Sequence, residues 1–500
     1  MEIKVIKGKI IRVKDEILLI PVFMDNQFEG RVKAIDRLLK GVITEIKESG
    51  EFKGKANELY GLQSKEGLKS NRVILVGLGE QKKATLDTIR EAFGKAAVYI
   101  RNHGFKSFSS PVESNLMAKE RVRDGIQAMV EGVMLGLYQF DLYKTDSSDD
   151  KREIEKWTLV VDDEINVIEA EKSARIGQVI CEGVALARDL GNQPSNVVTP
   201  GRLAEEAIKI GRELPVKVTI LEREDMEELK MGSFLGVSKG SEEPPKFIIL
   251  EYSPKTKSKP IVLVGKSITF DSGGISLKPA DKMEQMKGDM SGGAAVLATL
   301  KVAAQLKLQV NLVGILPATE NLPSGTATKP GDVLTSLSGK TIEVINTDAE
   351  GRLILADALT YASRFKPEAI VDLATLTGAV VIALGGEAIG MLGTSEGLKE
   401  RFKKSGEKTG ERVWELPLWE KYFDLIKSDV ADLKNTGGRS AGTITAAAFL
   451  SKFVEKNIPW VHLDIAGTAW TESDQPYIPK GNSGVGVRLL IQFLMDSLHR

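Results

Sequence analysis

The stretch Ile261-Val262-Leu263-Val264-Gly265-Lys266-Ser267-Ile268-Thr269-Phe270-Asp271-Ser272-Gly273-Gly274 passes from an aliphatic run to a polar segment closed by two glycines. A short uninterrupted apolar run of this kind reads as a strand buried on both faces, the form that parallel strands take beneath covering helices. Asp271 then lies between that strand and a Gly-Gly turn, where α/β domains place site residues. Outward from this point the alternation continues. Residues 246–251, 310–316, 341–345, 369–373 and 460–465 read as further strands, and 292–306, 353–363 and 443–454 as helices. Strand–helix alternation predicts an α/β sandwich with a largely parallel sheet.

The amino-terminal part mixes the same elements. Residues 71–77 form an apolar run ended by glycine, 86–103 carry helical spacing, 157–161 read as a strand and 167–190 as a long helix. Residues 146–156, with Ser147, Ser148, Asp149 and Asp150 in a row, read as a linker or surface loop. A chain of 500 residues exceeds what one core usually serves. The expected architecture is therefore two α/β domains, 1–163 and 164–500. Each has a mixed or largely parallel sheet flanked by helices, and the larger carboxyl-terminal domain is expected to be the catalytic one on the strength of its polar segments.

Composition removes several classes of function. Net charge is −1, so nothing suggests a basic surface built for nucleic acid, although a local patch is compatible with a balanced total. Cys181 is the only cysteine, which excludes an internal disulfide and fits a reducing cytoplasm. It sits among Ile180, Val184 and Ala185 and reads as a core residue. The amino terminus lacks the apolar region of a signal peptide, and no apolar run reaches the roughly 18 residues a membrane span needs. The histidines are His103, His462 and His499. A metal site must then lean on carboxylates, which excludes zinc fingers and His-Glu-x-x-His enzymes.

Three segments concentrate the unusual polar residues: 265–274, 286–290 around Asp289, and Asn346-Thr347-Asp348-Ala349-Glu350-Gly351-Arg352. If the last is extended, Asp348, Glu350 and Arg352 share one face. Two carboxylates so placed repel unless a cation lies between them; for Asp-Ala-Glu taken alone a solvated loop with Asp348 capping the following helix is the favoured reading, and the setting of Asp271 shifts the balance toward ligands. Asp289 likewise reads as a ligand or as a helix N-cap. If Asp271, Asp289, Asp348 and Glu350 converge, two divalent cations balance them, with Lys278 and Arg352 available for further anions. Oxygen ligands suit Zn²⁺, Mn²⁺ or Mg²⁺. Other motifs fail. A P-loop ending at Gly265-Lys266-Ser267 needs glycine where Pro260 stands, the dinucleotide fingerprint begun by Gly77 and Gly79 meets Lys82, and no Gly-x-Ser-x-Gly elbow is present.

The string 346–353 resembles the signature of the leucyl aminopeptidase (cytosol aminopeptidase) family. Segments 264–274, 278–279, 286–290, 372–378, 439–450 and 462–470 match that family in order and spacing, from about Asp189 to the carboxyl end. Gly293 stands where alanine is expected, and Ser483 where threonine is expected before Gly484. The resemblance implies a peptide hydrolase that removes the amino-terminal residue, preferably Leu or another apolar residue, by a metal-bridging hydroxide. Lys266, Asp271, Asp289 and Glu350 would hold one metal, and Asp271, Asp348 and Glu350 the other, as Mn²⁺ or Zn²⁺. Lys266 would have to be neutral to ligate, against the alternative of an ordinary salt bridge to Asp271. Arg352 would hold bicarbonate as general base, and Lys278 would polarise the carbonyl. Met286, Thr375, Ala466 and Ala469 would line an apolar pocket for the first side chain. The family also implies a cytoplasmic homohexamer, a dimer of trimers acting on short peptides, with the first domain serving assembly and access. Two alternatives stay open: a DNA-binding role, and a narrow dipeptidase for substrates such as cysteinylglycine.

Overall fold

The computed structural model describes residues 1–25, 30–64, 67–112, 122–145, 152–254 and 256–498. The linker expected at 146–156 falls for the most part outside the described residues, as does His499. Two compact units emerge: Met1–Cys181 with Ser473–Pro479, and Glu182–Glu472 with Lys480–Arg500. The expected boundary at 163/164 differs from this division, because the helix Val167–Asn192 begins in one unit and ends in the other. Its first turns place Ala170 and Ala174 in the first unit's core, whereas a Cβ on Gly183 would meet Val302 and Val487 of the second.

The first unit is built on a sheet in the order Glu2–Lys7, Lys156–Val161, Ser107–Val112, Ile17–Val22, Arg72–Gly77, Leu59–Gln63. All neighbours are parallel except the last pair. Alternate residues of one strand serve opposite cores, as a doubly covered sheet requires. Ile17 and Leu19 pack with the helix Leu86–Asn102, while Leu18 and Ile20 pack with Ile35, Leu39 and Ile43. The helix Leu86–Asn102 starts at Thr85, whose hydroxyl accepts from the Thr88 amide in a reciprocal cap.

In the second unit the main sheet runs Val413–Glu415, Ile389–Gly393, Trp460–Asp464, Ala369–Ala374, Ile261–Gly265, Leu312–Asn321, Lys246–Tyr252, Val216–Leu221, with Ser267–Asp271 added beside Leu312–Asn321. The four central strands are mutually parallel and the flanking ones mixed. The strand expected at 310–316 begins at Leu312 and runs on to Asn321. The one expected at 341–345 is shorter and belongs to a separate three-stranded sheet. The helices expected at 292–306, 353–363 and 443–454 form as Ser291–Gln305, Gly351–Ala362 and Gly442–Ser451. Cys181 is buried in a helix, as expected of a core residue. Among the described residues no helix is long and apolar enough to cross a membrane.

The helix Ser291–Gln305 presses its first turn onto the carboxyl ends of two strands. A Cβ on Gly292 would stand 2.2 Å from the Leu373 carbonyl oxygen. The Gly293 position, where alanine was expected, has its space taken by the Ser267 hydroxyl, 2.0 Å from where a Cβ would lie. Replacing Gly292 by alanine forces backbone apart, because neither partner atom can rotate away. Gly292→Ala should destabilise the second unit by about 1–3 kcal/mol, read as a lower thermal midpoint by calorimetry. An unchanged midpoint would mean the close approach is not rigid.

Candidate active site

The parallel strands end where the sequence concentrates its polar residues. Lys266 follows the strand Ile261–Gly265, Asp271 ends Ser267–Asp271, Thr375 follows Ala369–Ala374, and Ala466 lies just past Trp460–Asp464. This is the crevice at the carboxyl edge that open α/β sheets use for ligands. A cavity of about 260 Å³ opens there. Its lining includes Lys266, Asp271, Lys278, Met286, Asp289, Asp348, Glu350, Thr375, Ala466 and Ala469. Every expected metal ligand and pocket residue is thus brought to one place. Arg352 is not among the lining residues.

Convergence at 346–352 is achieved by a turn, which corrects the expectation of an extended segment. The Ala349 amide donates to the Asn346 carbonyl at 3.2 Å, and the Asp348 amide to Asn346 Oδ1 at 2.8 Å. Glu350 is already helical at φ −76°, ψ −36°, and neither it nor Asp348 caps the helix through its side chain. Asp289 is also no N-cap, since the helix beginning at Ser291 has Met290 at that position. Instead Asp289 meets Lys266 at 2.8 Å and accepts from the Thr375 hydroxyl at 2.7 Å. The turn after Asp271 needs glycine twice over. Gly273 has φ +88°, and a Cβ there would lie 2.9 Å from Asp348 Oδ1.

Two ammoniums face four carboxylates. Lys266 Nζ lies 2.8 Å from Asp289 and 2.9 Å from Glu350, so the simple pairing with Asp271 weighed from the sequence is not the one formed. Asp271 belongs to Lys278, at 2.9 Å, which also reaches Asp348 at 2.5 Å. The cluster keeps an excess of negative charge, and proton affinities respond together. Burial pushes Asp289 up to about 8, with Lys266 opposing and Asp271 adding to the rise. Burial likewise raises Asp348 and Glu350. For Lys266 and Lys278 burial acts downward, but the surrounding carboxylates outweigh it and hold both ammoniums protonated.

These residues fit divalent cations. Oxygens of Asp271, Asp348 and Glu350 lie within 4.8 Å of one another. Glu350 Oε2 is buried with no hydrogen-bond partner. A buried carboxylate oxygen without a partner is costly, and a hard or borderline cation accepted by several oxygens relieves it. Asn321 was not foreseen. Its amide nitrogen donates to Asp271 Oδ1 at 2.8 Å and to the Thr347 carbonyl at 3.0 Å, tying the two carboxylate-bearing segments together. Asn435, fully buried, donates to the Asn346 carbonyl at 2.7 Å and accepts from Arg352 Nη1 at 2.8 Å through its own carbonyl. Burial lowers Arg352 to about 10, with Glu350 and Asp464 opposing, and its Nε is buried without a hydrogen-bond partner. Ser483 keeps the hydroxyl that the expected threonine would bring, donating to the Thr468 carbonyl at 2.7 Å. A polar residue ending a central strand was the one available signal for Asn321; Asn435 had none.

Comparison with known proteins places this geometry. The model for the catalytic domain of the cytosol aminopeptidase family matches residues 185–491, and the model for that family's N-terminal domain matches residues 19–147. A "Probable cytosol aminopeptidase" of Geotalea uraniireducens (strain Rf4) is 48% identical over 486 residues, 96% of each chain. One from Geobacter sp. (strain M21) is 49% identical over 481 residues, covering 95% of this chain and 96% of its own. Among solved structures, a tomato leucine aminopeptidase variant superposes with a TM-score of 0.88 at 33% identity, covering 99% of this chain and 96% of that one. A bottromycin maturation enzyme in complex with Mn has a TM-score of 0.85 at 30% identity, covering 97% and 100%. With both domains matched in order and its carboxylates and lysines gathered in one crevice, the chain belongs to the cytosol aminopeptidase family and is an aminopeptidase.

Proposed function

We propose that this aminopeptidase works with two divalent metal ions, Mn²⁺ or Zn²⁺, and removes Leu or other apolar residues from the free amino end of short peptides. The observation that carries the reading is the buried excess of carboxylate over ammonium charge, with Glu350 Oε2 left unpartnered. Lys266, Asp271, Asp289 and Glu350 would hold one ion, and Asp271, Asp348 and Glu350 the other. When bound, the ions supply Lewis acidity toward the peptide carbonyl and lower the pKa of the attacking water. Lys266 must lose its proton to join them, which nearby dications favour.

The remaining groups act on the substrate. Lys278, partly exposed to the cavity, is the cation available to a developing oxyanion. Met286, Ala466 and Ala469, with the Thr375 side chain, give the first residue an apolar wall. Arg352 stays protonated even at about 10, so it cannot itself accept a proton; it can orient a planar anion, and bicarbonate held there would serve as general base. The relatives' name, the solitary Cys181 and the lack of a membrane-crossing helix among the described residues support a cytoplasmic setting. A homohexamer of two trimers, with the first unit serving assembly and access, would cover apolar side chains that the single chain exposes, such as Ile382, Trp414 and Trp419.

Three measurements test this. Chelation should abolish hydrolysis of leucyl peptides and added Mn²⁺ or Zn²⁺ should restore it; full turnover by a verified metal-free preparation would sink the two-metal reading. Arg352→Ala should keep both metals and lower turnover by roughly ten- to a thousand-fold, with bicarbonate stimulating the wild type more than the variant. Loss of metal together with an equal bicarbonate response would show instead that Arg352 merely supports the ligands. Light scattering should return six times the chain mass, and a monomer would overturn the proposed assembly.

A further inference from the structure

The sheet of the first unit ends in two unlike edges. The edge strand Glu2–Lys7 carries Glu2, Lys4 and Lys7, charges of the kind that discourage another chain from pairing there. The opposite edge strand, Leu59–Gln63, reads Leu-Tyr-Gly-Leu-Gln and carries no charge. It pairs with Arg72–Gly77 on one side, and among the described residues no strand lies on the other. Its outer row of main-chain donors and acceptors is therefore open to a further strand.

Beside this edge lies a cleft of about 430 Å³. One wall is the helix Val42–Ser49, which lines it with Val42, Glu45, Ile46 and Ser49, the spacing of a single helix face. The edge strand forms the other wall. The floor is apolar. Ile46 is buried in the core beneath, and Val42, Tyr60 and Leu62 are half-buried against that same core. Among the described lining residues the charged ones are Glu45 and Glu51, both exposed. Glu51 is held at the strand by the Tyr60 hydroxyl, which donates to its Oε2 at 2.7 Å. Lys47 of the same helix is engaged elsewhere, donating to the Phe23 carbonyl at 3.2 Å.

We propose that this cleft binds an extended peptide segment in which lysine or arginine alternates with apolar residues, added as a further strand to the edge Leu59–Gln63. A helix lying beside an unpaired strand edge accepts a peptide in this way: main chain pairs with main chain, and alternate side chains enter the cleft. Each part of the partner's chemistry answers a feature of the cleft. The open main chain requires an extended backbone, the floor of Val42, Tyr60 and Leu62 takes apolar side chains, and Glu45 and Glu51 attract cationic ones. Peptides are also the class of molecule that an aminopeptidase meets. All the lining residues belong to the first unit, so the inference is independent of the metal reading of the crevice.

The test uses the full-length enzyme and a peptide of alternating lysine and valine, acetylated at its amino end so that it is no substrate and labelled with fluorescein at the other. Fluorescence polarisation should show saturable binding. Combining Glu45→Lys with Glu51→Lys should weaken it by about three- to ten-fold, since two exposed attractions become repulsions. Hydrolysis of leucyl peptides by that variant should stay at the wild-type rate, which also shows that it folds. The same peptide with methylated main-chain nitrogens should not bind, because it cannot join a sheet. No saturable binding to the wild type, or equal affinity for wild type and variant, overturns the proposal. Undiminished binding of the methylated peptide overturns it too, as the mark of a purely electrostatic contact. A smaller mass for the variant than for the wild type in light scattering would show that a second copy of the chain covers this edge, and likewise overturns it.

Discussion

The structure of the second unit is organised around a buried charge imbalance. Asp271, Asp289, Asp348 and Glu350 are drawn into one crevice against only two ammoniums, those of Lys266 and Lys278. Such a cluster repels itself, and burial strengthens the repulsion by removing water. What keeps it together is partly the lysines and partly main-chain and amide donors, such as Asn321 on Asp271 and the Gly273 amide at 2.9 Å. Clustered carboxylates with raised proton affinities in a crevice are a feature that active sites share.

Bringing the carboxylates together demands that backbone approach backbone. Gly292 at the first turn of one helix and Gly273 after Asp271 each stand where a Cβ would collide with a carbonyl or a neighbouring side chain. Small residues here are a geometric condition for the site, not relaxed packing. Ser267 in the space beside Gly293 shows the same economy, one side chain filling what the neighbouring position leaves open. The outer support is polar. Asn435 holds the turn 346–349 and Arg352 together, and Asp464 accepts from the Thr377 hydroxyl at 2.6 Å and the Leu376 amide at 3.1 Å, fixing the loop beyond Thr375. Rigid anchorage of this kind is what lets a side chain act at a defined distance.

The division of the chain follows from packing more than from sequence position. The helix Val167–Asn192 serves two cores in succession, and Ser473–Pro479 leaves one unit to complete the other.

The sequence by itself determined the α/β class, because short aliphatic runs bounded by turn residues and alternating with helical spacing fit strands covered on both faces, as Ile261–Gly265 is. It also singled out Asp271, Asp289, Asp348 and Glu350 as a candidate cluster, with helix capping as the competing use of Asp289 and Asp348, whereas Lys266 entered as a ligand only through the family resemblance. Tertiary structure decided the rest. Lys266 chose Asp289 and Glu350 over Asp271, residues 346–350 turned where alternation suggested a strand, and Asn321 and Asn435 became the ties between segments. Pairing of this kind depends on through-space distance and on which groups lose water together. Neither quantity is written in local composition or spacing.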